Sequence, residues 1–242
     1  MDVLRALFYQ HKGGRGVTAP PPAKGIRRLV FLYYTHFWRL IGLNLLFILF
    51  CLPVVTIPPT LTALNKVLLN LVREGNTFFF KDFIDEFKSS FIKSWIAFLP
   101  WLVLTGVAAA GYTLISDDVY ASLPYIVVFV MISCIVYCQT NYSITMIALI
   151  DLPLGKILKN SVIMVLVEMK RNIFLIMTVP VFVLCAIYYI YSIPFTALFA
   201  FSFVGIINVM ISNDAIEERV IKPNFNTGSP KSRETFWGVK ER

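Results

Sequence analysis

The chain has 242 residues, 57% of them hydrophobic and only 15% charged, with a mean hydropathy of +0.72 and a formal net charge of +8. A soluble domain carries about a quarter of its residues charged, so the composition excludes an ordinary water-facing surface and points to one that faces lipid. The basic residues flank apolar runs instead of forming one stripe, which argues against nucleic-acid binding and for anionic headgroups and topology control.

Residues 1–28 are polar and rich in turn formers, with Gly13, Gly14 and Gly16 followed by Pro20, Pro21 and Pro22. They read as a flexible cytoplasmic tether. No apolar core with small residues at a cleavage site occurs there, so the first apolar run is expected to be an uncleaved span. It begins near Phe31, carries Arg27, Arg28, Tyr33, Tyr34, Phe37, Trp38 and Arg39 at its entrance, and reaches about Ile57. Cations beside aromatics are what a helix shows at the headgroup layer. Four more runs approach the roughly 20 residues that a hydrocarbon core requires: Trp95–Ser116, Pro124–Ile150, Ile173–Tyr191 and Pro194–Ser212. The third of the five is overlong and is expected to tilt or extend past the bilayer.

Thr60–Gly75 is a shorter candidate behind Pro58 and Pro59, a good helix start. Its polar residues Thr62, Lys66, Asn70 and Arg73 share one helix face, so it could lie flat on the membrane or cross with that face turned inward. Charge decides between them. With six spans and the N-terminus inside, all of the 22 basic residues except Lys66 are cytoplasmic, and the outer loops, Asp117–Leu123 and the turn around Ser192, hold none. Five spans put most of the basic residues outside, or seven of them if the chain is flipped: Arg5, Lys12, Arg15, Lys24, Arg27, Arg28 and Arg39.

Two cytoplasmic segments have an amphipathic pattern. In one, Phe80, Phe83, Ile84, Phe87 and Phe91 recur at helical spacing, with Lys81, Asp82, Asp85, Glu86 and Lys88 on the other face. In the other, Leu154, Ile157, Leu158, Val162, Val165 and Met169 form the stripe, opposite Lys156 and Lys159. Both are expected to float at the headgroups or plug the underside of the bundle. The polar tail 213–242 is expected to stay loose. The fold class is therefore all-α: a polytopic transmembrane bundle of six spans, the second one short, over residues 29–212, plus two cytoplasmic amphipathic helices.

The order of features from Arg27 onward resembles the YesL-like family, bacterial multi-span proteins grouped under a domain of unknown function. The stretch FWRLIGLNLLFILFCLPVVTIPPTLTALNKVLLNLVREG carries the similarity, with Asn44, Pro53, Thr56, Ala63, Arg73 and Glu74 matching the pattern. KDFIDEFKSSFIKSW and KILKNSVIMVLVEMKRN look like two later segments of that family, and Pro58 stands where relatives often carry glycine. The resemblance implies a bacterial plasma-membrane protein that accompanies carbohydrate uptake and breakdown, with a sugar-uptake transporter as a partner besides the bilayer, and no agreed biochemical activity comes with the family. The placement of the cations puts both termini in the cytoplasm.

The chemistry of known motifs is missing. No Walker loop, dinucleotide fingerprint or HExxH occurs. No catalytic residue, metal ligand or cofactor is expected. His36 reads as an aromatic-belt residue, and Cys51, Cys134, Cys138 and Cys185 as small packing residues within apolar runs. All acidic residues fall outside the proposed spans apart from Glu74 at the cytoplasmic end of Thr60–Gly75, and Glu74, Asp82, Asp85 and Glu86 read as a solvated helix face. The polar residues left within the membrane include Asn44, Asn65, Lys66, Asn70, Gln139, Asn141 and Asn208. Such groups usually face the bundle interior and often mark function, although interhelical hydrogen bonding alone can account for them. If a ligand site exists, Lys66, Asn70, Asn44, Gln139 and Asn141 are its candidates. The leading expectation is a non-catalytic accessory or assembly protein. The alternative is a small permease for a neutral or hydroxyl-rich solute.

Overall fold

The computed structural model describes residues 25–75, 77–115, 119–150, 152–188 and 193–221. The expected tether as far as residue 24, the tail from residue 222, and the outer turns at 117–118 and 192 lie outside the described residues. Among the described residues the chain is helical, with no strand. The helices are α1 (Ile26–Thr35), α2 (Phe37–Cys51), α3 (Ile57–Glu74), α4 (Phe79–Ser89), α5 (Phe91–Ile115), α6 (Val119–Leu149), α7 (Leu154–Val167), α8 (Met169–Tyr188) and α9 (Ile193–Ile216). A π-type turn, Glu217–Ile221, carries α9 past the expected end of the last span at Ser212.

The first expected span is not one straight helix. α1 and α2 meet at 84°, because His36 leaves the helical region (φ −112°, ψ 18°) and both ladders end on it. α2 alone has 15 residues, about 22 Å, which is short of the roughly 30 Å hydrocarbon core. α1 exposes Ile26, Val30 and Tyr34 at four-residue spacing, while Leu32 on its other side is fully buried. It is an amphipathic helix set across α2. Hydropathy could not reveal this corner, because the apolar run continues straight through it.

α2 returns through α3 as a tight hairpin. Thr56 Oγ1 donates to the carbonyls of Phe50 (2.5 Å) and Pro53 (2.6 Å), satisfying the last turn of α2. Pro58 and Pro59 then start α3, where missing N–H groups cost nothing. Gly75, at φ +73°, ends it in the left-handed conformation that closes a helix. α3 is the hub, packed by α2, α4, α5, α6 and α9. It does not lie flat on a surface: Val67, Leu68 and Leu71 are completely buried.

Three stretches among the described residues, Val54–Glu74, Phe91–Gly111 and Leu123–Leu149, are long and apolar enough to cross a membrane, and α1 with α2 would make a fourth if the bent pair is one span. α8 and α9 fall on the two remaining runs expected from sequence. The outer parts of α5 and α6 present Leu102, Val103, Val107, Val127, Val128 and Met131, all more than half exposed. Such faces are tolerable only against lipid.

Helices occupy both segments whose pattern reads as amphipathic, and the residues they bury differ in part from the expected stripes. α4 buries Phe79 and Phe83 against α2 and α3, and the Phe50 ring lies 5.4 Å from Phe83 and 5.0 Å from Phe87. Phe80, expected on that stripe, is 46% exposed. α4 is thus a wall of the core and not a float. In α7 the buried row is Ile157, Ser161 and Met164, with Leu154, Leu158 and Val165 of the expected stripe part-buried beside it and Lys156 and Lys159 exposed. Val162 of that stripe points outward, as does Met169 at the start of α8, and the exposed Ile163, Leu166 and Val167 give α7 a second apolar side that suits lipid.

Candidate functional site

The five candidate residues do not converge. Lys66, half-buried, donates from Nζ to the Ala148 carbonyl at 2.5 Å. That carbonyl belongs to the last turn of α6, where the helix dipole is negative and the orphan carbonyls want a donor. Lys66 therefore caps a neighbouring helix. Asn70 Nδ2 donates to Asp82 Oδ2 at 3.2 Å, and the same oxygen accepts from Thr77 Oγ1 at 2.6 Å and the Phe78 N–H at 3.3 Å. Asp82 thus ties the start of α4 to α3 and is not part of a solvated face, unlike the exposed Glu74 and Asp85.

Asn44 is fully buried, and its Oδ1 accepts from the Ser202 N–H (2.8 Å) and Oγ (2.6 Å), locking α2 to α9. Gln139 Nε2 donates to Ser143 Oγ (3.1 Å) and Ser161 Oγ (3.4 Å), holding α7 to α6. Asn141 Nδ2 donates to the Tyr137 carbonyl of its own helix at 2.9 Å. Lys66, Asn70, Asn44 and Gln139 thus each serve a different helix junction, and Asn141 bonds within α6.

Asn208 stands out in the sequence as an intramembrane amide, whereas its partners Tyr137 and Thr178, and also Tyr142, Asn172 and Glu168, are not singled out there. Tyr137, Thr178 and Asn208 form a knot between α6, α8 and α9: Asn208 Nδ2 donates to Tyr137 Oη at 2.9 Å, and Thr178 Oγ1 lies 3.2 Å from both Tyr137 Oη and Asn208 Oδ1. Tyr142 Oη donates to Asn172 Oδ1 at 2.9 Å. Glu168, 8% exposed between α7 and α8, accepts from Arg171 (3.0 Å) and Arg219 (2.7 Å), and Arg171 also reaches Glu218 at 2.6 Å. His36 Nε2 lies 3.1 Å from the Gly75 carbonyl. Burial and the Arg39 charge hold its imidazole below the ordinary value, partly offset by that carbonyl. No sequence pattern marks Tyr137 or Tyr142; only their partners reveal the networks.

A cleft of about 170 Å3 opens where the start of α1 and the ends of α3 and α9 meet, lined by Arg28, Arg73, Met210, Asn213, Asp214 and Glu217. The Arg28 guanidinium donates to the Val72 carbonyl. Asn213 is only 6% exposed and its Oδ1 has no hydrogen-bond partner among the described residues. These positions looked in sequence like the edges of separate spans. Their approach is a tertiary fact. No group of histidine, cysteine or acidic side chains able to hold a metal occurs among the described residues.

Long apolar helices, lipid-tolerant outer faces and buried interhelical amide bonds define a helical membrane protein. Residues 40–112, which hold nearly all of α2, then α3, α4 and most of α5, match the family described as "Protein of unknown function, DUF624". That match is consistent with the YesL-like resemblance. No curated protein and no solved structure matches the chain.

Proposed function

We propose that this chain is a non-catalytic accessory or assembly protein of the bacterial plasma membrane, of the YesL-like kind, that serves a sugar-uptake system. The observation that carries this reading is the use of the intramembrane polar groups. Lys66, Asn44, Gln139 and Asn208 each bond to another helix of the same chain, so they build a scaffold and line no common path. The link to sugar rests on the family resemblance alone. The permease reading has one observation of its own: Asn65 Oδ1, on the hub helix, is buried without a partner among the described residues. Purification of the intact chain from its membrane tests the choice. A stoichiometric membrane partner supports the assembly role, whereas solute flux in liposomes holding this protein alone overturns it.

In this reading α2, α3, α5, α6, α8 and α9 are the six spans, and both termini are cytoplasmic, as the distribution of basic residues requires. A re-entrant α2–α3 hairpin leaves the same charges inside, since both of its ends stay on one side. The two arrangements differ at the hairpin tip, where Leu52 and Val54 are about three-quarters exposed. A single cysteine at Val54, in a chain whose own cysteines are replaced by alanine, should react with a membrane-impermeant thiol reagent added outside intact cells. Protection there with reaction at Ser116 would make the hairpin re-entrant.

A further inference from the structure

The cleft at the ends of α1, α3 and α9 combines features that a purely structural seam does not need. It has two cations, Arg28 and Arg73, from α1 and α3, two anions, Asp214 and Glu217, at the end of α9, and beside the anions a buried amide oxygen, Asn213 Oδ1, with no donor to accept from among the described residues. Leaving such an acceptor dry is costly, so it calls for an N–H or O–H donor. The volume of about 170 Å3 is several times the roughly 30 Å3 share of a single water. Opposite charges on the two flanks fit a ligand that is itself charged at both ends. Its anionic group would meet the guanidinium of Arg73, a geometry suited to phosphate, and its ammonium would meet Asn213 Oδ1 and the carboxylates.

The depth of the cleft identifies where such a ligand comes from. The apolar run of α3 ends at Val72 and that of α9 at Ser212, while α1 begins with Arg27 and Arg28. The cleft therefore sits where hydrocarbon gives way to headgroups. Beside it, α1 exposes Ile26 (80%), Val30 (59%) and Tyr34 (87%) in one row, a face on which an acyl chain can lie. Met210 supplies an apolar lining.

We propose that this cleft binds a phosphoethanolamine group, presented by an aminophospholipid of the cytoplasmic leaflet. The inference stands apart from the accessory role and holds for a permease equally.

The test uses the full chain in phosphatidylcholine nanodiscs with and without added phosphatidylethanolamine, with bound lipid counted by native mass spectrometry and stability followed by thermal melting. Phosphatidylcholine has the same phosphate but no N–H to donate, so phosphatidylethanolamine should bind about tenfold more tightly, the worth of one charge-assisted hydrogen bond, and raise the melting temperature. Asn213→Leu should erase that preference while leaving the melting temperature in pure phosphatidylcholine unchanged or higher. If Asn213→Leu does not fold, Arg73→Gln, a change at an exposed side chain, should weaken retention of both lipids. Stabilisation of detergent-solubilised protein by free O-phosphoethanolamine, matching that of the lipid, supports the same chemistry from a soluble source and overturns the lipid assignment. Equal binding of the two lipids by the unaltered chain overturns the proposal.

Discussion

α3 and α6 are both apolar helices of one bundle, yet they meet their surroundings in opposite ways. Over the stretch best suited to crossing a membrane, 56% of the α3 segment is buried within the protein, against 17% for α6. α3 carries Thr60, Thr62, Asn65, Lys66 and Asn70, whereas Ile126–Ile132 of α6 has no polar side chain at all. In water the polar face of a helix marks the outside. In a bilayer it marks the inside, because lipid cannot satisfy a hydrogen bond and another helix can. The contrast also divides single helices: α6 turns outward near Ile126 and is buried from Cys138 to Ala148, where α7, α8 and α9 close on it.

The contrast can be broken most forcefully at Phe83. Its side chain is fully buried beneath Phe50, so Phe83→Ala should cost about 3–5 kcal/mol, and Phe83→Asp with Phe87→Asp should prevent a monodisperse fold in detergent. Leu102→Ala, on the 55%-exposed outer face of α5, should leave the thermal midpoint nearly unchanged. Equal losses at the two positions would mean that α4 is no more part of the core than α5 is.

Glycines sharpen the same contrast at a smaller scale. A Cβ on Gly205 of α9 would come within 2.6 Å of Leu68 Cδ1, a fully buried side chain with little room to move, while one on Gly106 of α5 meets nothing within 4 Å. Gly205→Ala should destabilise by about 1–3 kcal/mol, and Gly106→Ala should gain up to about 1 kcal/mol from helix propensity. Denaturation in mild detergent with increasing dodecyl sulfate measures both. A stabilising Gly205→Ala would show that α9 is not seated against α3.

Lys66→Met comes next. The change removes the donor to Ala148 and also a cation from an apolar helix, two effects of opposite sign. The net change should stay within about 1 kcal/mol, read from the same denaturation curves. Loss of folding would mean that the charge itself builds the bundle.

The smallest effect is at His36. Its imidazole is held below the ordinary value of 6.5 in the folded chain, so as pH falls through about 6.5 the unfolded chain takes up the proton first. Stability should be full above that pH and decline below it. A melting temperature slightly lower at pH 5 than at pH 7.5, with the difference shrinking in His36→Gln, is the expected result. An unchanged profile would show that the corner does not shield the ring.

The sequence revealed the class of the fold because hydrophobic length and cation placement are local in the chain. The 84° corner was not legible, since an apolar run looks the same straight or bent, and the contacts at the corner, Arg28 with the Val72 carbonyl and His36 with that of Gly75, join residues distant in sequence. In α7 the stripe pattern placed Ile157 inward and Lys156 and Lys159 outward but missed the exposure of Val162, because α7 is apolar on two sides and a pattern cannot say which one meets protein. Lys66 stood out correctly as an unusual residue. Its partner did not, because Ala148 contributes only a backbone carbonyl and no side-chain pattern marks it. The cleft was hidden for a related reason: Arg28, Arg73 and Asn213 come from three distant segments, and each alone looks like an ordinary span edge.

The seat of Gly205 against Leu68 joins residues that leave the ribosome far apart in time. At about 5–20 residues per second, α9 is made on the order of ten seconds after α3. For that interval the groove at Leu64 and Leu68 has no protein partner from α9 and stands open to lipid, although Asn44 on the neighbouring helix still awaits the Ser202 hydroxyl and N–H. The hub of the finished bundle is therefore its least finished part during synthesis. Whatever retains the early hairpin in the membrane until α9 arrives sets the yield of folded protein.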